Sequence, residues 1–195
     1  MKICIFPGTF NPIHNSHLKV ANYVLEHFGL EKIIFIPAYM PPHKNYDLAM
    51  SDHRFNMVKL SIESNPKFEI SDIEFVRQGK SYTYLTVCEL YKKYNTDEKI
   101  NLIIGTDAFR HIESWYETDK LKQITDFIVF KREFGNDFNL DYLKDKGYNF
   151  TIADMDFVDI SSTRLRQLIS ENKDINRYVP MKVERYIKEN GLYKN

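Results

Sequence analysis

Two histidines stand close together where the first apolar run of the chain gives way to a helix-forming stretch. The segment reads Gly8-Thr9-Phe10-Asn11-Pro12-Ile13-His14-Asn15-Ser16-His17. A glycine at this turn lets the backbone approach a ligand closely, and the helix that begins near Ser16 would offer free N–H groups and a partial positive charge. Both imidazoles could then face one side of a bound phosphate. The segment therefore predicts a phosphate-binding site.

Other interpretations of the histidine pair are weaker. The segment is not a Walker loop, because no Gly-Lys-Ser/Thr follows the glycine. A zinc or iron site would need a third histidine or a carboxylate nearby in sequence, and none is present. A solvated or capping role would suit one lone histidine, whereas two histidines at a helix start behind a buried strand favour function.

A second polar group of residues heads a helix late in the chain. It reads Ile160-Ser161-Ser162-Thr163-Arg164-Leu165-Arg166, an N-cap cluster followed at once by two cations. Cations near a helix N-terminus oppose the macrodipole at a cost of about 0.3–1 kcal/mol, and a bound anion would reverse that sign. Hydroxyls, free N–H groups and a guanidinium together predict a polyphosphate site. The alternative is a capped surface helix.

The elements that must position these groups follow from apolar spacing. Short apolar runs predict strands over 2–6, 32–37, 101–104 and 127–130, and an alternating pattern predicts a strand over 68–75. The stretch 149–153 is also strand-like. Helical spacing, caps and stops predict helices over 16–28, from Ser51, from Ser81 or Thr83, over 108–114, 118–123, 140–146 and 161–170, and from Pro180 to Gly191. A long loop with two prolines, expected over 38–50, is typical of functional loops.

This alternation predicts an α/β fold: a Rossmann-like open parallel sheet with helices on both faces and a small C-terminal helical part. We expect a single domain over 1–195, with the helical portion at about 160–195. Ligands bind such sheets at the carboxyl ends of strands, near a topological switch point. The candidate motifs fall there, in Gly8–His17, in Pro41-Pro42-His43-Lys44 and in Gly105-Thr106-Asp107.

The composition of the chain indicates which kinds of binding partner to expect. The chain has 27 basic and 27 acidic residues, whereas a general nucleic-acid binder would show a basic excess, so a small anionic ligand is expected and no nucleic acid. The first apolar run is too short for a signal peptide or a membrane span. Cys4 and Cys88 lie in apolar runs without a CxxC pair, which favours reduced core thiols and a cytoplasmic protein without membrane partners. The oligomeric state stays open, with a homo-oligomer as one alternative.

Taken together, the two motifs resemble the nucleotidyltransferases of HxGH type, and within them the bacterial nicotinate-mononucleotide adenylyltransferases. The resemblance extends from Lys2 to Tyr193. It includes Pro41-Pro42-His43-Lys44, Ser81-Tyr82-Thr83 with Thr86, Gly105-Thr106-Asp107, Trp115-Tyr116 and the C-terminal stretch around Tyr178-Val179-Pro180 and Leu192-Tyr193. The chain departs from the family pattern at Pro7, Asn11, Ser16 and Lys131-Arg132-Glu133, and Pro7-Gly8 is more typical of pantetheine-phosphate adenylyltransferases.

The resemblance implies transfer of AMP from ATP to nicotinate mononucleotide, with Mg²⁺ bound mainly through the ATP phosphates. It implies catalytic roles for His14, His17, Lys44 and Arg166. It implies ATP contacts for Gly8, Thr9, Phe10, His14, His17, Gly105, Asp107, Ile160, Ser162, Thr163 and Arg166. It implies acceptor contacts for Lys44, Thr83, Thr86, Asp107, Trp115, Tyr116 and Arg132.

Several of these residues have a second interpretation. Asp107 could hold a ribose hydroxyl or cap a helix, and Trp115 could stack on the pyridine ring or simply pack in the core. Phe10 would also pack, like Tyr23 and Phe35. For the whole chain, the alternatives are a related adenylyltransferase acting on nicotinamide mononucleotide or pantetheine phosphate, and a non-catalytic nucleotide-binding module.

Overall fold

A six-stranded parallel sheet forms the centre of the protein in a computed structural model that describes residues 2–42, 48–131, 139–155 and 160–194. Its strands are β1 (Ile3–Gly8), β2 (Lys32–Pro37), β3 (Phe68–Ile70), β4 (Ile100–Gly105), β5 (Thr125–Phe130) and β6 (Phe150–Ala153). The spatial order is β3-β2-β1-β4-β5-β6. The chain adds β2 and β3 on one side of β1 and then crosses over to add β4 on the other side. The expected topological switch point therefore lies between β1 and β4.

Helices connect the strands and follow the last one. They are α1 (Asn15–His27), α2 (Ala49–Ile62), α3 (Ile73–Arg77), α4 (Thr83–Tyr94), α5 (Thr106–Phe109), α6 (Thr118–Ile124), α7 (Asp141–Asp145), α8 (Ser162–Ser170) and α9 (Met181–Glu189). A turn of 3-10 helix spans Ile112–Ser114. In the part of the chain that the structure describes, no helix is long and apolar enough to cross a membrane.

Each face of the sheet has its own apolar core, because alternate strand residues point to opposite sides. Cys4 and Phe6 pack with residues of α1, α2, α8 and α9, whereas Ile3 and Ile5 pack with residues of α4, α6 and α7. The Rossmann-like sheet with helices on both faces and a C-terminal helical part is therefore confirmed. Burial raises the pKa of the Cys4 thiol, which is a core group as expected, whereas Cys88 is only half-buried.

The predicted strand over 68–75 is wrong in its second half. Pairing with β2 ends at Ile70, and Asp72 then starts α3, where its carbonyl accepts the N–H groups of Phe75 and Val76 at 2.8 and 2.9 Å. Phe75 packs edge-on against the rings of Tyr39 and Phe55 instead of lying in the sheet. Tertiary packing of one aromatic ring outweighed the alternating pattern.

Other boundaries shift by a few residues. Pro7 and Gly8 do not close β1 but belong to it, opposite Ile36 and Pro37. α2 begins at Ala49 rather than at a Ser51 cap, and the Ser51 hydroxyl donates to the Leu48 carbonyl at 2.6 Å. The helix predicted over 108–114 is two pieces, α5 and the 3-10 turn.

Candidate active site

An open cavity of about 1150 Å³ lies at the carboxyl ends of β1, β2, β4 and β5. Ligand sites typically have about 300–1,000 Å³, so this one has room for two bound molecules. The predicted site residues that line it are Gly8, Thr9, Phe10, His17, Thr83, Gly105, Trp115, Tyr116, Ser162, Thr163 and Arg166. The structure therefore brings the two phosphate motifs and the aromatic segments to one place.

Lys44 and Arg132 lie outside the described residues. Four further predicted residues are not part of that lining. Ile160 is a buried core residue, and His14 is buried directly behind His17. Asp107 and Thr86 are treated below.

The turn after β1 is shaped by contact between Gly8 and Phe10. A Cβ on Gly8 would come within 2.7 Å of the Phe10 ring, so this position requires glycine. Phe10 itself has a left-handed φ of 48° and is only 3% exposed. Its ring packs edge-on against Phe6 and His17. Phe10 therefore packs against the turn after β1 and helps to position the backbone of Thr9, which lines the cavity.

The imidazole rings of His14 and His17 are in close contact at the start of α1, with their planes tilted by 33°. Their ring centroids are 3.7 Å apart, and the backbone N–H of His14 donates to His17 Nδ1 at 3.2 Å. When Nδ1 accepts, the proton of a neutral imidazole resides on Nε2. His17, which lines the cavity, is thereby held in the tautomer with an Nε2–H donor. One N–H expected to face a ligand here is already used, because Asn15 donates to the Tyr178 carbonyl at 2.8 Å.

The start of α8 packs directly on the turn after β1. Arg166 Nη1 donates to the Asn11 carbonyl at 2.8 Å, and the Ser162 hydroxyl donates to the Pro12 carbonyl at 2.9 Å. Ser161 caps the helix by accepting the Arg164 N–H at 3.1 Å. Motifs about 150 residues apart in sequence thus share one wall of the cavity. The arrangement collects hydroxyls, a guanidinium and a helix N-terminus, the donor set that binds polyphosphate.

Sequence reasoning missed Arg54, which is completely buried on α2. Its guanidinium donates to three backbone carbonyls, those of Thr9 at 2.7 Å, Ala38 at 2.5 Å and Tyr39 at 3.3 Å. Burial lowers the pKa of Arg54 to about 10, against the opposing effect of nearby Tyr193 and Glu74, so the side chain stays protonated at neutral pH. Arg54 ties the turns after β1 and β2 together.

A signal for Arg54 was present in the sequence. It precedes Met57 and Val58 by three and four residues, and both are buried, so a charged side chain lies on the apolar stripe of α2. A cation on that stripe must find partners inside the protein.

Aromatic rings line the other end of the cavity. Tyr82 and Tyr116 stack with centroids 4.6 Å apart, and the half-buried Trp115 lies beside Tyr116 in the chain. Trp115 also packs against the core beneath, so both interpretations of this residue hold in part. Glu74 and Tyr82, which were not predicted, belong to this aromatic end together with Thr83.

The structure corrects the expected positions of Thr86 and Asp107. The Thr86 hydroxyl is buried behind the wall, donates to Glu74 Oε1 at 2.7 Å and does not line the cavity. Asp107 is exposed, in the first turn of α5, whose N-cap is Gly105 rather than Asp107. Asp107 is close in sequence to Gly105, which lines the cavity, but is not itself part of the lining. Its contact with a ribose hydroxyl stays a prediction.

Comparison with known proteins agrees with this geometry. The cytidylyltransferase-like family model matches residues 5–168. A nicotinate-nucleotide adenylyltransferase of Bacillus subtilis is 40% identical over 100% of this chain and 99% of its own. A protein of Caldicellulosiruptor saccharolyticus, described as a probable nicotinate-nucleotide adenylyltransferase, is 43% identical over the whole of both chains.

A solved structure has the same fold. It is the Plasmodium falciparum nicotinic acid mononucleotide adenylyltransferase complexed with NaAD, which matches with a TM-score of 0.80 at 22% identity over 98% of this chain and 97% of that one. At 22% sequence identity, this match supports the fold only. The family model and the full-length relatives go further: this chain belongs to the cytidylyltransferase-like nucleotidyltransferases and, within them, to the nicotinate-nucleotide adenylyltransferase family.

Proposed function

We propose that this chain transfers AMP from ATP to nicotinate mononucleotide, giving nicotinate adenine dinucleotide and pyrophosphate in NAD biosynthesis. One observation carries the proposal: a single cavity joins a phosphate-binding end, made by Thr9, His17 and Arg166, to an aromatic end, made by Tyr82 and Trp115. ATP supplies the phosphates and the acceptor supplies a flat pyridine ring. The names of the relatives, at 40% and 43% identity over full length, support the same reaction.

The chemistry asks for positioning and charge stabilisation more than for proton transfer. The attacking 5′-phosphate of the acceptor is an anion near neutral pH, so no general base is required. His17 would donate its Nε2–H to the ATP phosphates as negative charge develops on the bridging oxygen. Arg166 and the hydroxyls at the start of α8 would hold the β- and γ-phosphates. Lys44 is proposed to join them, and His14 to keep His17 in place by ring contact and through its backbone N–H.

Mg²⁺ fits this donor set as an ion that arrives with ATP. Among residues 2–42, 48–131, 139–155 and 160–194, no group of three or more His, Cys, Asp or Glu side chains could hold a metal by itself. The hydroxyls of Thr9, Ser162 and Thr163 and the phosphate oxygens are hard donors of the kind that Mg²⁺ accepts alongside water. When bound, the ion would neutralise the pyrophosphate leaving group.

Acceptor recognition is assigned to the aromatic end. Trp115 would offer its face to the pyridine ring, while Thr83 and the Tyr116 backbone would meet the ring carboxylate. Asp107 is proposed to hold a ribose hydroxyl, and Arg132 to contact substrate. We also infer a cytoplasmic location, which the free thiols of Cys4 and Cys88 support.

An acceptor panel tests the proposal. The protein is incubated with ATP, Mg²⁺ and, in turn, nicotinate mononucleotide, nicotinamide mononucleotide or pantetheine phosphate, and pyrophosphate release is measured. We expect strong turnover with nicotinate mononucleotide and much less with the amide. Equal rates with both nucleotides, or turnover with pantetheine phosphate alone, would contradict the proposed specificity, and no turnover with any acceptor would favour a binding module.

A further inference from the structure

A buried carboxylate lies in the wall of the aromatic end, where the proposed function places an acidic ring. Glu74 lines the cavity, yet it is only 4% exposed. Its Oε1 accepts from the Thr86 hydroxyl at 2.7 Å, and its Oε2 accepts from the Tyr39 backbone N–H at 3.3 Å. These bonds fix the orientation of the Glu74 carboxyl group in the wall.

The Glu74 carboxylate is linked to the aromatic end through one side chain. Thr86 Oγ1, which contacts Glu74, also lies 3.3 Å from the Tyr82 carbonyl. The Tyr82 ring in turn stacks on Tyr116. A charge at Glu74 therefore acts on a ligand that reaches Tyr82 and Tyr116, and its field passes through a wall of buried side chains such as Thr86.

Arg77 supplies a balancing charge, in addition to Arg54, whose charge also interacts with Glu74. Its Nη2 lies 3.8 Å from Glu74 Oε1 and donates to Thr86 Oγ1 at 3.0 Å. Its Nη1 donates to Glu89 Oε2 at 3.0 Å, on the outer side of the group. The Arg77 side chain is 17% exposed, so solvent screens it only partly. The four residues Glu74, Arg77, Thr86 and Glu89 form one hydrogen-bonded group, here called the Glu74 network.

We infer that Arg77 is a specificity-determining residue that cancels the field of Glu74 at the aromatic end and so permits an acceptor with a ring carboxylate. The inference rests on the proposed function. An unbalanced Glu74 would repel the nicotinate carboxylate but would leave the neutral nicotinamide ring nearly unaffected. Arg77 itself does not line the cavity, so it acts through charge and through Thr86 rather than by contact with substrate.

The sign of the effect separates this role from a structural one. Arg77→Gln removes one of the two cations that offset the charge of Glu74, whereas Glu74→Gln removes the repelling charge. A variant that merely loosens the wall would impair both acceptors together. Under the inference, the ratio of kcat/KM for nicotinate mononucleotide to kcat/KM for nicotinamide mononucleotide falls in Arg77→Gln and rises in Glu74→Gln. We expect changes of about three- to tenfold, the effect of a unit charge about 10 Å away at an effective dielectric constant of about 20 with partial screening.

The experiment measures that ratio for the wild type and five variants, with thermal unfolding as a check on folding. Arg77→Lys retains the charge and should keep the ratio near that of the wild type. Glu89→Gln, at a more exposed position, should raise the ratio even if the Arg77→Gln variant does not fold. Lys92→Gln removes one positive charge from the exposed surface of α4 and should change nothing.

Opposite shifts of the ratio, downward in Arg77→Gln and upward in Glu74→Gln and Glu89→Gln, support the inference. Equal losses for both acceptors in Arg77→Gln and Glu74→Gln, with an unmoved ratio in Glu89→Gln, would overturn it while the wild type still uses nicotinate mononucleotide. A wild type that does not use nicotinate mononucleotide at all would overturn the proposed function, and this inference with it.

Discussion

The Tyr193 hydroxyl, in the turn after α9, donates to Asn11 Oδ1 at 2.6 Å, although the two residues are 182 positions apart in sequence. The backbone carbonyl of the same Asn11 accepts from Arg166 at 2.8 Å. Tyr193 adopts a left-handed φ of 63°, a conformation that a tyrosine rarely takes without a compensating contact. The C-terminal part of the chain thus holds both the side chain and the backbone of Asn11, in the turn after β1 that lines the cavity.

Removing that hydroxyl should impair catalysis with little effect on the fold. Tyr193→Phe deletes the hydrogen bond to Asn11 in the turn after β1. Such a bond contributes about 1 kcal/mol net. We expect kcat/KM for ATP to fall by about fivefold. Steady-state kinetics with varied ATP measures this. The matched control is Tyr186→Phe, whose hydroxyl instead contacts His53 and Asn56, and which should retain wild-type kinetics. Equal kinetics in both variants would remove Tyr193 from the positioning of Asn11.

His17 should be the most sensitive side chain of the phosphate end. Its Nε2–H is the donor fixed by the His14 N–H, and loss of one charge-stabilising donor typically lowers kcat by about two or more orders of magnitude. His17→Ala should show a loss of that size at saturating substrates. His27→Ala, at an exposed position of the same helix, provides the control. Retention of kcat in His17→Ala would exclude His17 from the mechanism.

The two arginines of α8 should behave differently although they are two positions apart. Arg166 lines the cavity, whereas Arg164 is exposed and donates to Gln167 at 2.8 Å. A hydrogen bond to a charged group contributes about 1.5–3 kcal/mol, so Arg166→Ala should raise KM for ATP by about ten- to a hundredfold. Arg164→Ala should leave KM for ATP within about twofold of the wild type. Similar KM values for the two variants would contradict a phosphate role for Arg166.

Trp115 provides an internal reporter of acceptor binding, because it is the only tryptophan in the chain. A pyridine ring stacked on its face should quench its fluorescence. Titration with nicotinate mononucleotide should therefore produce a saturable decrease, and pantetheine phosphate, which has no aromatic ring, should produce none. Trp115→Phe should raise KM for the acceptor more than KM for ATP. If the fluorescence does not change although the enzyme is active, the pyridine ring does not stack on Trp115.

Features set by local sequence were predicted well. The Ile/Val-rich strands, the Gly8 turn and the Ser161 cap depend on neighbours in the chain, and each is found within a few residues of its expected place. The convergence of the turn after β1 with the start of α8 also followed, since carboxyl ends of parallel strands share one edge of a sheet.

Features set by distant partners were not predicted. Whether Thr86 faces the cavity depends on Glu74, twelve residues earlier, which takes its hydroxyl to the other side. Arg54 is hydrogen-bonded to carbonyls that the turns after β1 and β2 bring to it. The Tyr193–Asn11 bond needs the whole chain in place. Such contacts leave no periodic pattern, because each partner is a single residue at a sequence separation that nothing local fixes.

The central claim, that AMP is the group transferred to nicotinate mononucleotide, is tested most directly by labelling ATP. When the α-phosphate of ATP carries an isotopic phosphorus label, the label should appear in nicotinate adenine dinucleotide in step with turnover. With labelled γ-phosphate, it should appear only in pyrophosphate. Label from the γ-phosphate on the acceptor, or α-label that never leaves the ATP and its hydrolysis products, would contradict adenylyl transfer by this cavity.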